Sequence, residues 1–138
     1  MRPVIATIPG RPIAKGRPRV SPHGGVFTPA RTKEAEKHAR ACLKAECPEP
    51  LTGPLSLAVS FNFKYPQRWT KPDREAADNG WEPWYEGKPD LDNLLKLIKD
   101  AGNGVLWSDD SQVVEVEAVK VYSAEDTTTV NVFPAERR

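Results

Sequence analysis

Hydrophobic and polar residues alternate most regularly in the middle of the chain. Over residues 55–65 the odd positions are apolar or aromatic, and the even positions are mostly small or polar. This period of two is typical of a strand that buries one face. Residues 4–9, 113–122 and 127–133 are also β-rich and predict three more strands. The apolar positions of 113–122 change face midway, which predicts either a bulge there or burial of both faces.

Two other segments have helical character. Residues 31–46 are rich in Ala, Glu, Lys and Arg and predict a helix, with Thr28 or Thr32 as its cap. Residues 91–101 place apolar side chains at helical spacing, and Gly-Asn-Gly at 102–104 is a stop signal. The apolar run after that triplet, residues 105–107, predicts a short buried strand or the entry to one.

The order of these elements predicts an α+β fold. Counted along the chain, the order is β, hairpin, α, long β, loop, α, β, β, where the hairpin turn lies at the Gly-rich residues 22–25. We expect a mixed, mostly antiparallel sheet packed with two main helices. A length of 138 residues favours a single domain spanning 1–138.

A long polar connection separates the central strand from the second helix. Residues 66–89 are longer than most loops in compact domains, and we expect a short helix near 71–78. The aromatic side chains of this loop either attach it to the core or stack on unpaired bases. They are Trp69, Trp81, Trp84 and Tyr85.

Composition excludes several classes of protein. No apolar run approaches the roughly 20 residues of a membrane-spanning helix, and no secretory signal is visible. We therefore expect a cytoplasmic protein that does not associate with a membrane. Cys42 and Cys47 lack nearby histidine pairs and are interpreted as ordinary reduced thiols.

Charge is distributed unevenly although the net charge is only +1. Residues 1–33 contain seven basic residues and no acidic one, and the remainder contains 13 basic and 19 acidic residues. Within the first part, Lys15, Arg17 and Arg19 extend from a segment that Pro and Gly keep irregular. Such a segment can neutralise DNA phosphates without reading bases, although a solvated basic loop gives the same pattern.

Four aspartates flank the second helical segment. Asp90 and Asp92 lie at its start, and Asp109 and Asp110 follow the glycine turn. If the chain folds back through that turn, the two pairs form a carboxylate cluster that needs protons or cations for neutralisation. Hard cations such as Mg²⁺ bind to such oxygen ligands together with water and substrate phosphate. Each aspartate also has a simpler interpretation as a helix cap or a turn residue.

Lys96 lies four residues after Asp92, so both side chains share one face of the helix. A lysine beside a carboxylate–metal site can stabilise phosphoryl charge or orient a water. A plain ion pair between the two side chains is the alternative.

This stretch resembles the RusA family of Holliday junction resolvases. The residues that carry the resemblance are Asp90-Leu91-Asp92-Asn93-Leu94, Lys96, Asp100, Ala101, Gly104, Trp107 and Asp109-Asp110-Ser111-Gln112-Val113. The resemblance implies that Asp90, Asp92 and Asp110 bind a catalytic Mg²⁺ or Mn²⁺ ion and that Lys96 is required for catalysis.

The basic segment is similar to one found near the start of many RusA-like proteins, which makes Lys15, Arg17 and Arg19 candidate DNA contacts. Of the basic residues expected directly before the first aspartate, only Lys88 is present, and we expect it to contact DNA as well.

The resemblance also implies a substrate and an assembly. The substrate is branched DNA, a four-way junction, which a homodimer cuts by paired symmetric nicks. A nuclease selective for flaps or forks and a junction-binding protein that does not cut are the alternatives. A nucleotide-sugar transferase with a DxD motif is disfavoured by the short chain.

Overall fold

A four-stranded sheet forms the centre of the structure, a computed structural model that describes residues 3–16, 19–27, 29–79 and 83–136. The side chains of residues 19, 27 and 77 are outside this description. In chain order the elements are β1 (Val4–Pro9), β2 (Arg19–Val20), β3 (Val26–Phe27), α1 (Ala30–Glu46), β4 (Leu55–Lys64), α2 (Lys71–Asp78), α3 (Leu91–Gly102), a short 3₁₀ helix (Asp110–Gln112), β5 (Val113–Ser123) and β6 (Thr127–Pro134).

The sheet has the order β1-β6-β4-β5. β6 is antiparallel to both β1 and β4, whereas β4 and β5 are parallel. β2 and β3 form a separate antiparallel hairpin. The predicted α+β class, with a mixed and mostly antiparallel sheet and two main helices, is therefore confirmed; α2 is a third, shorter helix.

One face of the sheet carries the core. The alternation of β4 buries Leu57, Val59 and Phe61 on that face, and β6 adds Val130 and Val132. On the opposite face small polar side chains bond across strands: Asn62 Nδ2 donates to Thr127 Oγ1 at 3.0 Å. Both helices of the core, α1 and α3, lie against each other, and α1 also packs on β1.

Helix α1 begins one residue earlier than predicted, and its cap differs. Pro29 occupies the N-cap position, and no side chain caps the helix. The prediction of Thr32 as the cap is wrong, because Thr32 lies inside the helix, where it is buried and accepts a hydrogen bond from Gly16 N at 3.0 Å. Thr28 lies outside the described residues.

Helix α3 ends as the glycine triplet predicts. Gly104 has φ +80°, a conformation that glycine adopts easily. A Cβ at Gly102 would lie 2.9 Å from Trp107 Cζ2, so glycine lets the fully buried indole ring pack against the helix end. The predicted strand at 105–107 is not formed. The run is buried and makes a tight turn, with Leu106 N bonded to Gly102 O at 2.8 Å, and Trp107 forms isolated β-bridges with Leu51 and Asn103.

The register of β5 contains an irregularity, but at its start. Leu55 pairs with Val113 and Ser56 pairs with Glu115, so Val114 is the extra residue. The bulge predicted from the change of apolar face is thus displaced from the middle of the strand. Of the described helices, none is long and apolar enough to cross a membrane.

The long connection carries the expected short helix, α2. Two aromatic rings of the connection attach it to the sheet. Tyr85 stacks on Phe63 with ring centroids 3.9 Å apart, and Trp69 packs on Tyr122 with ring centroids 4.8 Å apart. Trp84 is 72% exposed, so its stacking on bases stays a prediction. Trp81 lies outside the described residues.

Candidate active site

The segment that leads to Asp90 is bound along the edge of β5. Tyr122 N donates to Pro83 O at 2.8 Å, and Tyr85 N donates to Lys120 O at 3.0 Å. These backbone bonds extend the sheet beside the C-terminal part of β5. They bring the approach to Asp90 onto a rigid support.

Three consecutive carbonyl groups directly before Asp90 are held by side chains. The Lys120 ammonium donates to Gly87 O at 2.7 Å and to Pro89 O at 2.9 Å. Between these two carbonyls, the Tyr85 hydroxyl donates to Lys88 O at 2.9 Å. The position of Asp90 is therefore fixed from the backbone side.

The carboxylate of Asp90 is paired with Lys88. Lys88 Nζ donates to Asp90 Oδ1 at 2.8 Å. This hydrogen bond and the charge of Lys88 lower the pKa of Asp90, and the same bond raises the pKa of Lys88. Asp90 occupies the N-cap position of α3, yet its side chain caps no backbone N–H. The Asp90 side chain therefore does not cap the helix, and its carboxylate binds the Lys88 ammonium instead.

Asp92 and Lys96 lie one turn apart on α3, and both are exposed. Buried neighbours Leu94 and Leu97 show that the opposite side of the helix faces the core. Within the described part of the chain Lys96 forms no ion pair or hydrogen bond. The plain ion pair with Asp92 is therefore not formed, and the Lys96 ammonium is available to solvent.

Asp110 begins the 3₁₀ helix that follows the turn of Trp107, and its side chain is exposed. Asp109 caps this helix: Ser111 N donates to Asp109 Oδ1 at 3.1 Å, which lowers the pKa of Asp109. Gln112 completes a capping box by accepting from Asp109 N at 3.2 Å. Asp109 is thus engaged by its own backbone, whereas Asp110 is presented to solvent.

Gln112 also fastens this turn to the chain before β4. Its Nε2 donates to Leu51 O at 3.0 Å and to Gly53 O at 3.1 Å. Both ends of the Gln112 amide are therefore used, one within the turn and one across to a distant loop.

The 3₁₀ helix contacts α3, so the two acidic segments lie on neighbouring elements. However, no three His, Cys, Asp or Glu side chains among the described residues form a group able to hold a metal ion. The tight cluster of up to four carboxylates is therefore absent from this arrangement. Repulsion between unneutralised carboxylates opposes it, and Asp90 and Asp109 already have other partners.

The donor chemistry nevertheless fits a hard divalent cation. Asp90, Asp92 and Asp110 are exposed carboxylates, and Mg²⁺ typically uses one or two such groups together with water and substrate phosphates. A site of this kind does not require a complete cage of protein ligands.

Comparison with known proteins decides the family. A protein-family model described as Endodeoxyribonuclease RusA matches residues 9–133, which is most of the chain. The chain belongs to the RusA family. The resemblance based on the aspartate motif is therefore confirmed.

Two curated relatives accompany the RusA match. The chain is 36% identical over 131 residues to the uncharacterized protein YqaN of Bacillus subtilis (strain 168), covering 90% of this chain and 91% of YqaN. It is 38% identical over 69 residues to the crossover junction endodeoxyribonuclease rusA of Lactococcus phage r1t, covering 49% of this chain and 45% of the phage protein.

Among the basic residues predicted to contact DNA in this RusA chain, Lys15 has a structural partner on each core helix. Its Nζ lies 3.1 Å from Glu36 Oε1 and 3.0 Å from Asp100 Oδ2. Burial by itself would lower the pKa of Lys15, but the hydrogen bonds to Asp100 and Glu36 outweigh it and raise the pKa. DNA contact by Lys15 stays a prediction, and it competes with these two carboxylates.

The other predicted contacts are less fully described. Arg17 lies outside the described residues, and only the backbone of Arg19, at the start of β2, is described. Lys88 is exposed beside Asp90, and its contact with DNA stays a prediction.

Sequence reasoning missed Lys120 and Tyr85 as supports of the RusA motif. No local signal identifies them, because Lys120 is 31 residues from Pro89 along the chain and reaches it only through the docking of the loop on β5. Gln112 belongs to the motif that carries the RusA resemblance. Its Oε1 accepts hydrogen bonds within the turn and its Nε2 donates to the loop before β4, which explains the presence of an amide there.

Proposed function

We propose that this protein is a metal-dependent endodeoxyribonuclease that resolves Holliday junctions by paired symmetric nicks. The observation that carries this proposal is the RusA match over residues 9–133 together with an intact aspartate–lysine set. The name of the Lactococcus phage relative, a crossover junction endodeoxyribonuclease, gives the same reaction and substrate.

Asp90, Asp92 and Asp110 are the residues proposed to hold Mg²⁺, or Mn²⁺ in its place. When bound, the cation supplies an activated water and stabilises charge on the scissile phosphate. Exposure of all three carboxylates supports this role, since DNA phosphate must reach the same ion. Pairing of Asp90 with Lys88 maintains its carboxylate in the charged form that a metal requires.

Lys96 is proposed to place its ammonium beside the phosphate that is cut. Its lack of any partner in the described residues and its position one turn after Asp92 support this role. A preorganised positive charge at this point favours the more negative transition state over the bound substrate.

A homodimer is the proposed assembly. A four-way junction has near two-fold symmetry, and two matched nicks need two active sites related in the same way. A cytoplasmic location also stays a prediction.

Comparison of DNA substrates tests the proposal. We expect a labelled four-way junction to be cut at two symmetric positions, faster than a flap, a fork or a linear duplex of the same sequence. Equal or faster cutting of flaps and forks would replace the resolvase assignment with a general structure-selective nuclease. Tight junction binding without products in Mg²⁺ or Mn²⁺ would indicate a junction-binding protein.

A further inference from the structure

Asp90 lines a groove of about 890 Å³. One wall is the strap, defined here as residues 10–16, which follows β1. The other walls are the first turn of α1 around Arg31 and the segment from Lys88 to Asn93. The groove therefore adjoins the candidate active site at Asp90.

The walls of this groove are joined to one another by hydrogen bonds. Lys15 N donates to Asn93 O at 3.0 Å, which ties the strap to the first turn of α3. Gly16 N donates to Thr32 Oγ1 at 3.0 Å, which ties the strap to α1. A Cβ at Gly16 would lie only 2.7 Å from Thr32 Oγ1, so this close approach requires glycine. The groove is therefore preformed.

Positive charge dominates the lining. Arg11, Arg31 and Lys88 contribute cations, and Asp90 is the one acidic residue among the described lining residues. Arg11 donates to the Tyr85 hydroxyl at 3.1 Å, and Lys88 is paired with Asp90 at 2.8 Å. Arg31 is exposed and has no hydrogen bond or ion pair within the described part of the chain. Its guanidinium is therefore the cation that a ligand can engage without breaking a contact.

The chemistry of a polyanionic strand fits this lining. A guanidinium binds phosphate through two parallel hydrogen bonds, which a lysine cannot do. The first turn of α1 contains no acidic residue, so its positive end adds to the same field. A groove that is lined by three cations and reaches Asp90 suits a chain of phosphates that leads to the scissile one.

We propose that this groove holds the sugar–phosphate backbone of the DNA strand that leads to Asp90, with Arg31 as a direct phosphate contact. The inference rests on the proposed nuclease function and deepens it. It adds Arg31 to the predicted phosphate contacts; unlike Lys15, whose ammonium joins α1 to α3, Arg31 has no partner in the described residues to give up.

The test compares Arg31→Gln with Lys44→Gln, each removing one positive charge from the same helix. Lys44 is exposed in the last turn of α1, roughly 20 Å from Arg31 at 1.5 Å per residue. Junction binding is measured in EDTA, so that cleavage does not interfere, over a range of salt concentrations.

We expect Arg31→Gln to weaken junction binding roughly tenfold. It should also make the slope of log affinity against log salt shallower by about 0.7 to 0.9, the loss of one phosphate contact. Lys44→Gln should match the wild type in both respects.

Equal affinity and equal salt slope for the two variants would overturn the groove assignment while leaving the nuclease function intact. If the wild type binds the junction but never cuts it, the proposed function fails, and the binding comparison in EDTA still decides the groove. Absence of any junction binding by the wild type would overturn both.

Discussion

Lys120, a side chain of β5, fixes the backbone of the segment that leads to Asp90. Its ammonium spans two carbonyl groups of the segment before Asp90, and the Tyr85 hydroxyl takes the carbonyl between them. Lys120 and Tyr85 thus bind backbone carbonyls of this segment and not the Asp90 carboxylate itself. Lys120 is therefore interpreted as a positioning residue for Asp90.

Replacing Lys120 with Met should impair cleavage while leaving junction binding largely intact. Loss of the two hydrogen bonds frees the approach to Asp90, and a misplacement of about 1 Å can reduce a rate by roughly a hundredfold. We expect kcat to fall between ten- and a hundredfold with a much smaller change in KM, and Lys120→Arg to recover part of the loss.

Amide hydrogen exchange gives a second measurement that does not depend on activity. Exchange in residues 84–90 should be faster in Lys120→Met than in the wild type, since an ordered segment becomes locally open. Unchanged exchange together with an unchanged kcat would contradict the positioning role.

At the scale of single residues, the sequence supplied the candidate donors but not their surroundings. The resemblance to the RusA family singled out Asp90, Asp92, Asp110 and Lys96 among the charged residues of this stretch. The pairing of Asp90 with Lys88 and the engagement of Lys15 by Glu36 and Asp100 depend on side-chain positions that no spacing rule gives.

Between elements, Lys15 joins the two core helices. Its ammonium bridges Glu36 on α1 and Asp100 on α3, with the lysine side chain only 20% exposed. A pair at this depth is worth more than a solvated ion pair and less than a fully buried one.

Lys15→Met should lower the free energy of unfolding by about 1–2 kcal/mol near neutral pH. The raised pKa of Lys15 means that the folded state binds its proton more tightly than the unfolded state. This stabilisation is complete below the unfolded pKa and is lost as pH rises through the folded pKa.

Urea denaturation of both proteins, near neutral pH and in strongly alkaline buffer, measures this difference. The difference in the free energy of unfolding between wild type and Lys15→Met should become smaller at alkaline pH. A difference that stays constant would show that packing of the lysine stem, rather than its charge, is responsible.

Long periodic elements were predictable, and short or irregular ones were not. The alternation of β4 and the apolar stripe of α3 determine which face each element buries, so β4 and α3 matched their predictions closely. The run 105–107 is too short to distinguish strand from turn by pattern. Its conformation follows from the packing of Trp107 against Gly102, a tertiary contact.

At the scale of the whole molecule, the uneven charge of the chain corresponds to two different uses of basic residues. Lys15 stabilises the fold, whereas Arg31 and Lys88 line the groove beside Asp90. The count of basic residues before position 34 predicted a phosphate-contacting region, but it could not separate these uses, because both depend on how the strap crosses α1 and α3.

The proposed homodimer makes a direct prediction for the molecule in solution. Light scattering coupled to size-exclusion chromatography should give twice the chain mass of 15.3 kDa at concentrations used for cleavage. Paired nicks should then appear within the lifetime of one complex. A monomeric mass under conditions that support paired cutting would contradict the assembly.

Cleavage of a labelled four-way junction by the wild type and by Asp92→Asn, with Mg²⁺ and with EDTA, tests the proposed function most directly. The asparagine keeps the shape of the side chain but removes the charge that binds a cation. We expect paired symmetric cuts by the wild type only with Mg²⁺, and a loss of roughly a hundredfold or more in rate for Asp92→Asn with junction binding retained. Full cleavage by Asp92→Asn, or wild-type cleavage that persists in EDTA, would contradict a metal-dependent site built on this aspartate.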